Sequence, residues 1–180
     1  KIPSEIKKLK DKKIIHNNKI SKNEIETEVL KFAKRGKRIS VPASSANLGP
    51  GFDTLGLGIG LYNTCEINLT TDKERFKDNL KENLIYKAYK YAFDYYKEKI
   101  IPIEIDLDTN IPQSRGLGSS AACIVMGIIA AFSLMKRDLN KKEILKLASK
   151  IEGHPDNVSP AIFGGANASI LEDDKVYVEK

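Results

Sequence analysis

The sequence predicts an α+β fold, a mixed sheet with helices on one face, and three observations lead there. Short stretches alternate apolar and polar residues, as half-buried strands do: in "LYNTCEINLT", Cys65, Ile67 and Leu69 take one side and Thr64, Glu66 and Asn68 the other. Other stretches repeat at helical spacing, with Leu84, Ala88, Tyr91 and Tyr95 on one stripe. The two kinds of segment do not follow each other in the regular strand–helix alternation of a doubly wound parallel sheet, so the helices are expected to gather on one face of the sheet.

Composition sets the outer limits. The chain has 180 residues, 41% hydrophobic and 30% charged, which is enough for one globular domain with a core. Its longest apolar run, 121–135, is interrupted by Gly127 and Ser133 and is too short to span a membrane. The opening "KIPSEIKKLKDKK" is charged throughout, unlike a secretory signal. Two cysteines, Cys65 and Cys123, make neither a disulfide framework nor a metal cluster. A cytoplasmic location is expected. The net charge of +6 comes mainly from lysines before residue 39, and no basic stripe with interleaved aromatics follows. A solvated lysine-rich face is therefore expected, with no nucleic-acid and no membrane partner.

The elements follow in order. Residues 1–37 read as a lysine-rich leader, partly helical: a short helix from Ser4, and a second with Ser21 and Glu24 as a capping box, Ile25, Val29 and Phe32 on one face, and Gly36 as its stop. His16 lies there and is assigned nothing. Residues 38–180 read as one domain. After the strand around Cys65 and the helix around Ala88, "IIPIEIDLDTNIP" gives a strand with Ile101, Ile103, Ile105 and Leu107 inward and Pro102 at its start. The apolar helix begins near Gly118 or Ser119. A further helix runs over "NKKEILKLASKIEG", with Asn140 and Glu143 as capping pair and Gly153 as its end. "AIFGGANASILEDDKVYVEK" reads as strand, turn, strand.

Three stretches can carry chemistry. In "SRGLGSSAAC", glycines admit close backbone approach and a helix N-terminus follows, whose free N–H groups favour anions. Ser119 and Ser120 can cap the helix, donate to phosphate or place a hydroxyl on Mg²⁺. Neither the Walker A ending nor the dinucleotide spacing is present, and a tightly packed helix start is the plain alternative. In "VPASSANLGPGFDTLGLG", a Gly-Pro-Gly turn separates Ser44, Ser45 and Asn47 from Asp53. Taken alone, an Asp after such a turn is usually a cap or turn ligand. In "KIEGHPDNVSPAIFGG", Glu152, His154, Asp156 and Asn157 crowd the end of a helix. No His-Glu-x-x-His metal motif is present, and a carboxylate such as Glu152 suits Mg²⁺. A polar loop stitched by its own side chains is the alternative.

Taken together and in this order, the three stretches resemble the GHMP small-molecule kinases. "IPQSRGLGSSAA" resembles that family's phosphate loop, and the flanking stretches are similar to those of its homoserine kinase branch. The resemblance covers about residues 38–180. It implies the ribosomal protein S5 domain 2-like fold of a GHMP kinase N-terminal domain, with the family's ferredoxin-like C-terminal domain largely absent. It also implies ATP and Mg²⁺ as cofactors, and phosphorylation of the side-chain hydroxyl of L-homoserine on the way to threonine. By resemblance, Pro112, Arg115, Gly116, Leu117, Gly118, Ser119, Ser120 and Ala121 surround the triphosphate, Ser120 and Glu152 form the Mg²⁺-side pair, and Tyr62 and Asn63 pack the adenine. Asn47, Asp53, His154 and Asp156 are the substrate contacts, Asp53 meeting the amino group. Asp53, Ser120 and Glu152 are thus the catalytic candidates. No general base is assigned, although Asp53 is the nearest candidate. The expected partner is a small molecule, and a homodimer is compatible with the resemblance.

The chain ends near where the family's second domain begins, so Mg-ATP binding without efficient turnover is the expectation. The competing readings are another GHMP kinase, of mevalonate or shikimate type, and a non-catalytic nucleotide-binding module. The leader faintly resembles the C-terminal tail of threonine synthase.

Overall fold

Strands β1 (Lys37–Ala46) and β2 (Leu55–Leu69) form the spine of a five-stranded sheet in this computed structural model, which describes residues 37–71 and 83–180. The helices expected between Ser4 and Gly36 lie outside the described residues. Alternation makes β1 a strand: Ile39, Val41 and Ala43 are buried beneath the helices, while Arg38 and Ser40 face outward. β1 pairs antiparallel with β2 along its whole length, Ile39 opposite Cys65 and Ser44 opposite Gly58. The register shifts between Pro42 and Ala43, where proline's missing N–H is tolerated. The other edge of β2 is shared. Its first residues pair with β4 (Ala166–Glu172) and its last with β3 (Ile103–Asp108), both antiparallel. β5 (Lys175–Glu179) closes a hairpin on β4. The two residues of that turn, Asp173 and Asp174, have φ of 44° and 65°, the double left-handed geometry that suits the twist of paired strands.

Helix α2 (Ser119–Leu134) is the hub. It is buried nearly all round, from Ala121 and Ala122 to Ala131 and Phe132, which is why its sequence is apolar without a polar stripe. α1 (Leu84–Tyr95) crosses it at Gly127, where an added Cβ would lie 2.3 Å from the Ile85 carbonyl oxygen. The buried face of α1 carries Ile85, Ala88, Tyr89, Ala92 and Phe93. The stripe expected from Leu84, Ala88, Tyr91 and Tyr95 is therefore rotated: Ala88 holds, while Tyr95 is 42% exposed. Packing against α2 buries instead the stripe of Ile85, Ala88, Tyr89, Ala92 and Phe93. The tyrosines pack rather than bind. Tyr86 and Tyr89 donate their hydroxyls to the carbonyls of Ile103 (3.0 Å) and Ile101 (2.7 Å), pinning the start of β3. β3 is inward only at that end, since Leu107 is 37% exposed.

α3 (Lys141–Glu152) begins and ends as its sequence indicates. The Asn140 side chain accepts from the N–H groups of Lys142 (3.0 Å) and Glu143 (3.2 Å), and Gly153 closes it in a left-handed conformation, φ 97°. Glu143 accepts from the Tyr96 hydroxyl, and the Arg137 guanidinium lies 3.7 Å from the centre of the Tyr96 ring. A short helix, α4 (Val158–Phe163), precedes β4 and takes in Ala161–Phe163, which the sequence pattern assigned to a strand. No helix among the described residues is long and apolar enough to cross a membrane.

Candidate active site

The three chemistry-bearing stretches, more than 100 residues apart at their extremes, meet at the N-terminal end of α2. The turn before α2 has an unusual backbone. Alternate residues Ser114, Gly116 and Gly118 have φ of 56°, 67° and 62°, and the intervening Arg115 and Leu117 do not. Alternation of this kind turns successive N–H groups toward one concavity, a nest for an anion. Gly118 is also the N-cap of α2, and no side chain caps that helix, so neither Ser119 nor Ser120 takes the capping role that the sequence left open. Among the described residues, no N–H from Gly116 to Ala121 donates to a backbone carbonyl; the first to do so is Ala122, to Gly118 at 2.9 Å. Unspent donors and the positive end of the helix therefore share one place.

The two glycines of the turn differ. A Cβ at Gly116 would meet nothing within 4 Å, so the space above it is open. A Cβ at Gly118 would lie 2.0 Å from Ser44 Oγ, so Gly118 marks where the turn presses against β1. Ser44 is fully buried. Its N–H donates to the Leu117 carbonyl (3.1 Å) and its hydroxyl to Asn157 Oδ1 (3.0 Å).

The acidic side follows from the end of α3. Glu152 is its last residue, and its Oε2 accepts from Ser120 Oγ at 3.0 Å. A hydroxyl and a carboxylate thus stand together beside the unspent amides. Burial, and secondarily the Glu152 charge, push the Cys123 thiol up one turn farther into α2. Past Gly153 the chain folds back so that Asp156 is fully buried. Its Oδ1 bonds His154 Nδ1 and accepts from the Asn157 N–H (2.7 Å), while its Oδ2 has no partner among the described residues. Asp53 arrives from the turn between β1 and β2. It sits at φ 52° and donates its N–H to Asn47 Oδ1 (2.9 Å). One ligand atom each from Asp53, His154 and Asp156 falls within 4.8 Å of the others. Two carboxylates and an imidazole so arranged suit a cationic group such as an ammonium.

Most of the expected site residues therefore converge. Pro112, Arg115 and Gly116 are exposed on the turn, and Leu117, Ser119, Ser120 and Ala121 continue it into the helix. Asn47 orients the Asp53 turn rather than standing apart from it. Tyr62 and Asn63 are the exception. Neighbours in a strand point to opposite faces, and the structure does not bring these two together. Tyr62 is 49% exposed and lines a cavity of about 360 Å³ with Pro42, Val125, Ile129, Ile144 and Phe163, none of them from the phosphate turn. Asn63 is fully buried, and its Oδ1 accepts from the N–H groups of Asn110 and Ile111, both at 2.8 Å. It braces the loop that leads into Pro112. The Ser44–Asn157 bond is what the sequence reading missed. Both residues lie in the quoted stretches, but nothing local links positions 113 apart.

Comparison with known proteins agrees with this geometry. The family described as "GHMP kinases N terminal domain" matches residues 83–165. Homoserine kinases of Clostridium beijerinckii and Clostridium botulinum (strain Okra) are 44% and 46% identical over 148 and 149 residues, 79% of this chain. The chain spans about half the length of these curated relatives, 50% of each. Among solved structures, a homoserine kinase from Cytophaga hutchinsonii is 27% identical with a TM-score of 0.66, over 82% of this chain and 52% of that one. Methanococcus jannaschii mevalonate kinase, at 22% identity and a TM-score of 0.61 over 81% of this chain and 56% of that one, shares the fold. The chain belongs to the GHMP kinase family, of which it carries the N-terminal domain.

Proposed function

We propose that residues 38–180 provide the nucleotide- and acceptor-binding groups of a homoserine kinase. Such an enzyme transfers the γ-phosphoryl group of ATP to the side-chain hydroxyl of L-homoserine. A bond forms between that oxygen and the γ-phosphorus as the bond from phosphorus to the ADP oxygen breaks, and the hydroxyl proton passes to a phosphate oxygen. The observation that carries this reading is the convergence of the three motifs: an anion nest of unspent amides, with the Ser120–Glu152 pair on one side and the Asp53–His154–Asp156 cluster on the other.

Phosphoryl transfer asks mainly for positioning and charge neutralisation. The nest at 114–118 and the first turn of α2 hold the phosphates. Ser120 and Glu152 offer oxygen ligands only, a donor set that fits Mg²⁺, which when bound neutralises charge on the phosphates. Asp53 orients the acceptor through its ammonium group. His154 is held by Asp156, and the unpartnered Asp156 Oδ2 remains to accept from the acceptor. No residue is assigned as general base.

Acceptor binding tests this reading. With Mg²⁺ and the non-hydrolysable ATP analogue AMPPNP present, calorimetry should detect L-homoserine and not mevalonate or shikimate, and Asp53→Asn should weaken the homoserine signal about tenfold or more. Binding of mevalonate or shikimate instead would contradict the proposal.

A further inference from the structure

We propose that the buried Ser44 hydroxyl is a positioning residue of the nucleotide site: it fixes the phosphate turn by clamping Gly118 on one side and the Asp156–Asn157 loop on the other. The inference rests on the nucleotide-binding reading above and adds a residue that touches no phosphate.

Ser44 is fully buried, so its hydroxyl serves no solvent role. It has three neighbours from the other two motifs, Leu117 and Gly118 of the phosphate turn and Asn157 of the loop after α3. Its own N–H, on β1, donates to the Leu117 carbonyl at 3.1 Å and holds the turn against the sheet. Its Oγ lies where a Cβ on Gly118 would come within 2.0 Å, so the hydroxyl sets how close the turn approaches. That Oγ donates to Asn157 Oδ1 at 3.0 Å, and the same Asn157 oxygen would lie 3.1 Å from a Gly118 Cβ. Asn157 in turn donates its N–H to Asp156 Oδ1 at 2.7 Å, and Asp156 binds His154. The Ser44 hydroxyl, through its bond to Asn157, therefore joins the turn it packs against to the acceptor side. Without it, Gly118 borders a small void, and the left-handed turn at 114–118 loses the contact that holds its amides convergent.

The test is a double-mutant cycle on nucleotide affinity, with Ser44→Ala, Asn157→Ala and the double variant of the full chain. Dissociation constants for Mg·AMPPNP are measured by calorimetry at a temperature where circular dichroism shows each protein folded. Each single variant should bind about fivefold to tenfold more weakly than the unmodified chain. The double variant should bind no more weakly than the weaker single one, because both substitutions cut the same bond. A merely structural serine would lower the melting temperature and leave the affinity of folded protein alone. That outcome overturns the proposal, as do losses that multiply in the double variant. Should Ser44→Ala not fold, unchanged affinity in Asn157→Ala alone overturns it. An unmodified chain that binds no Mg·AMPPNP removes the nucleotide-binding reading itself, and this proposal with it.

Discussion

At the scale of single residues, the glycines of the phosphate turn carry different duties, and substitution separates them. Gly116 and Gly118 both adopt left-handed backbone, but one faces open space and the other Ser44. Gly116→Ala should cost about 1 kcal/mol of stability, the ordinary penalty for a Cβ in that conformation. Its methyl group enters the open side of the nest, so affinity for Mg·AMPPNP should fall more than stability does. Gly118→Ala adds a collision with Ser44 and should cost roughly 2–3 kcal/mol. Chemical denaturation with parallel calorimetry distinguishes them; equal stability losses would mean that the two positions are not specialised. The residue types of the site were readable because phosphate chemistry calls for glycine, hydroxyl and carboxylate in recognisable strings. Tyr62 and Asn63 part company, one exposed and one buried, because adjacency in sequence is not adjacency on one face of a strand.

At the scale of elements, a helix crossing and a helix start give the sharpest tests. Gly127 costs α2 about 1 kcal/mol of helix propensity relative to alanine. Gly127→Ala should nonetheless destabilise the protein by roughly 1–2 kcal/mol, because the new methyl group meets α1 backbone at 2.3 Å and overpacking outweighs the propensity gain. A rise in the denaturation midpoint would show that α1 yields at the crossing. Asn140→Ala removes the acceptor for two N–H groups at the start of α3 and should cost about 1 kcal/mol. α3 was legible from end to end because both of its stop signals are local. β1 was not, since its residues past Val41 are small and polar and only pairing with β2 makes them a strand. The first half of β2 reads as apolar and strand-like, but Gly56, Gly58 and Gly60 lack the side chains that would show an alternating face. α4 is six residues long, too short to show a period.

At the scale of the whole molecule, stability should depend on alkaline pH. Burial pushes the Cys65 thiol from 9.0 up to about 11. The protonated thiol is thus favoured in the folded state. Between these values the unfolded chain has released the proton and the folded chain has not, so stability is full below pH 9 and declines as pH rises toward 11. Burial pushes Tyr89 and Tyr96 in the same direction, Tyr96 also through its bond to Glu143. Cys65→Val should flatten part of this decline in denaturant midpoints measured from pH 8 to 11. Parallel profiles for the two proteins would mean that Cys65 does not contribute to it.

The central claim is that motifs distant in sequence fold into one nucleotide site whose amides stand ready at the start of α2. Backbone amide NMR shifts, followed while Mg·AMPPNP is titrated into the chain, test it most directly. The largest shifts should fall at Gly116–Ala121. A nucleotide that leaves those amides unmoved, or that does not bind at all, would contradict the claim.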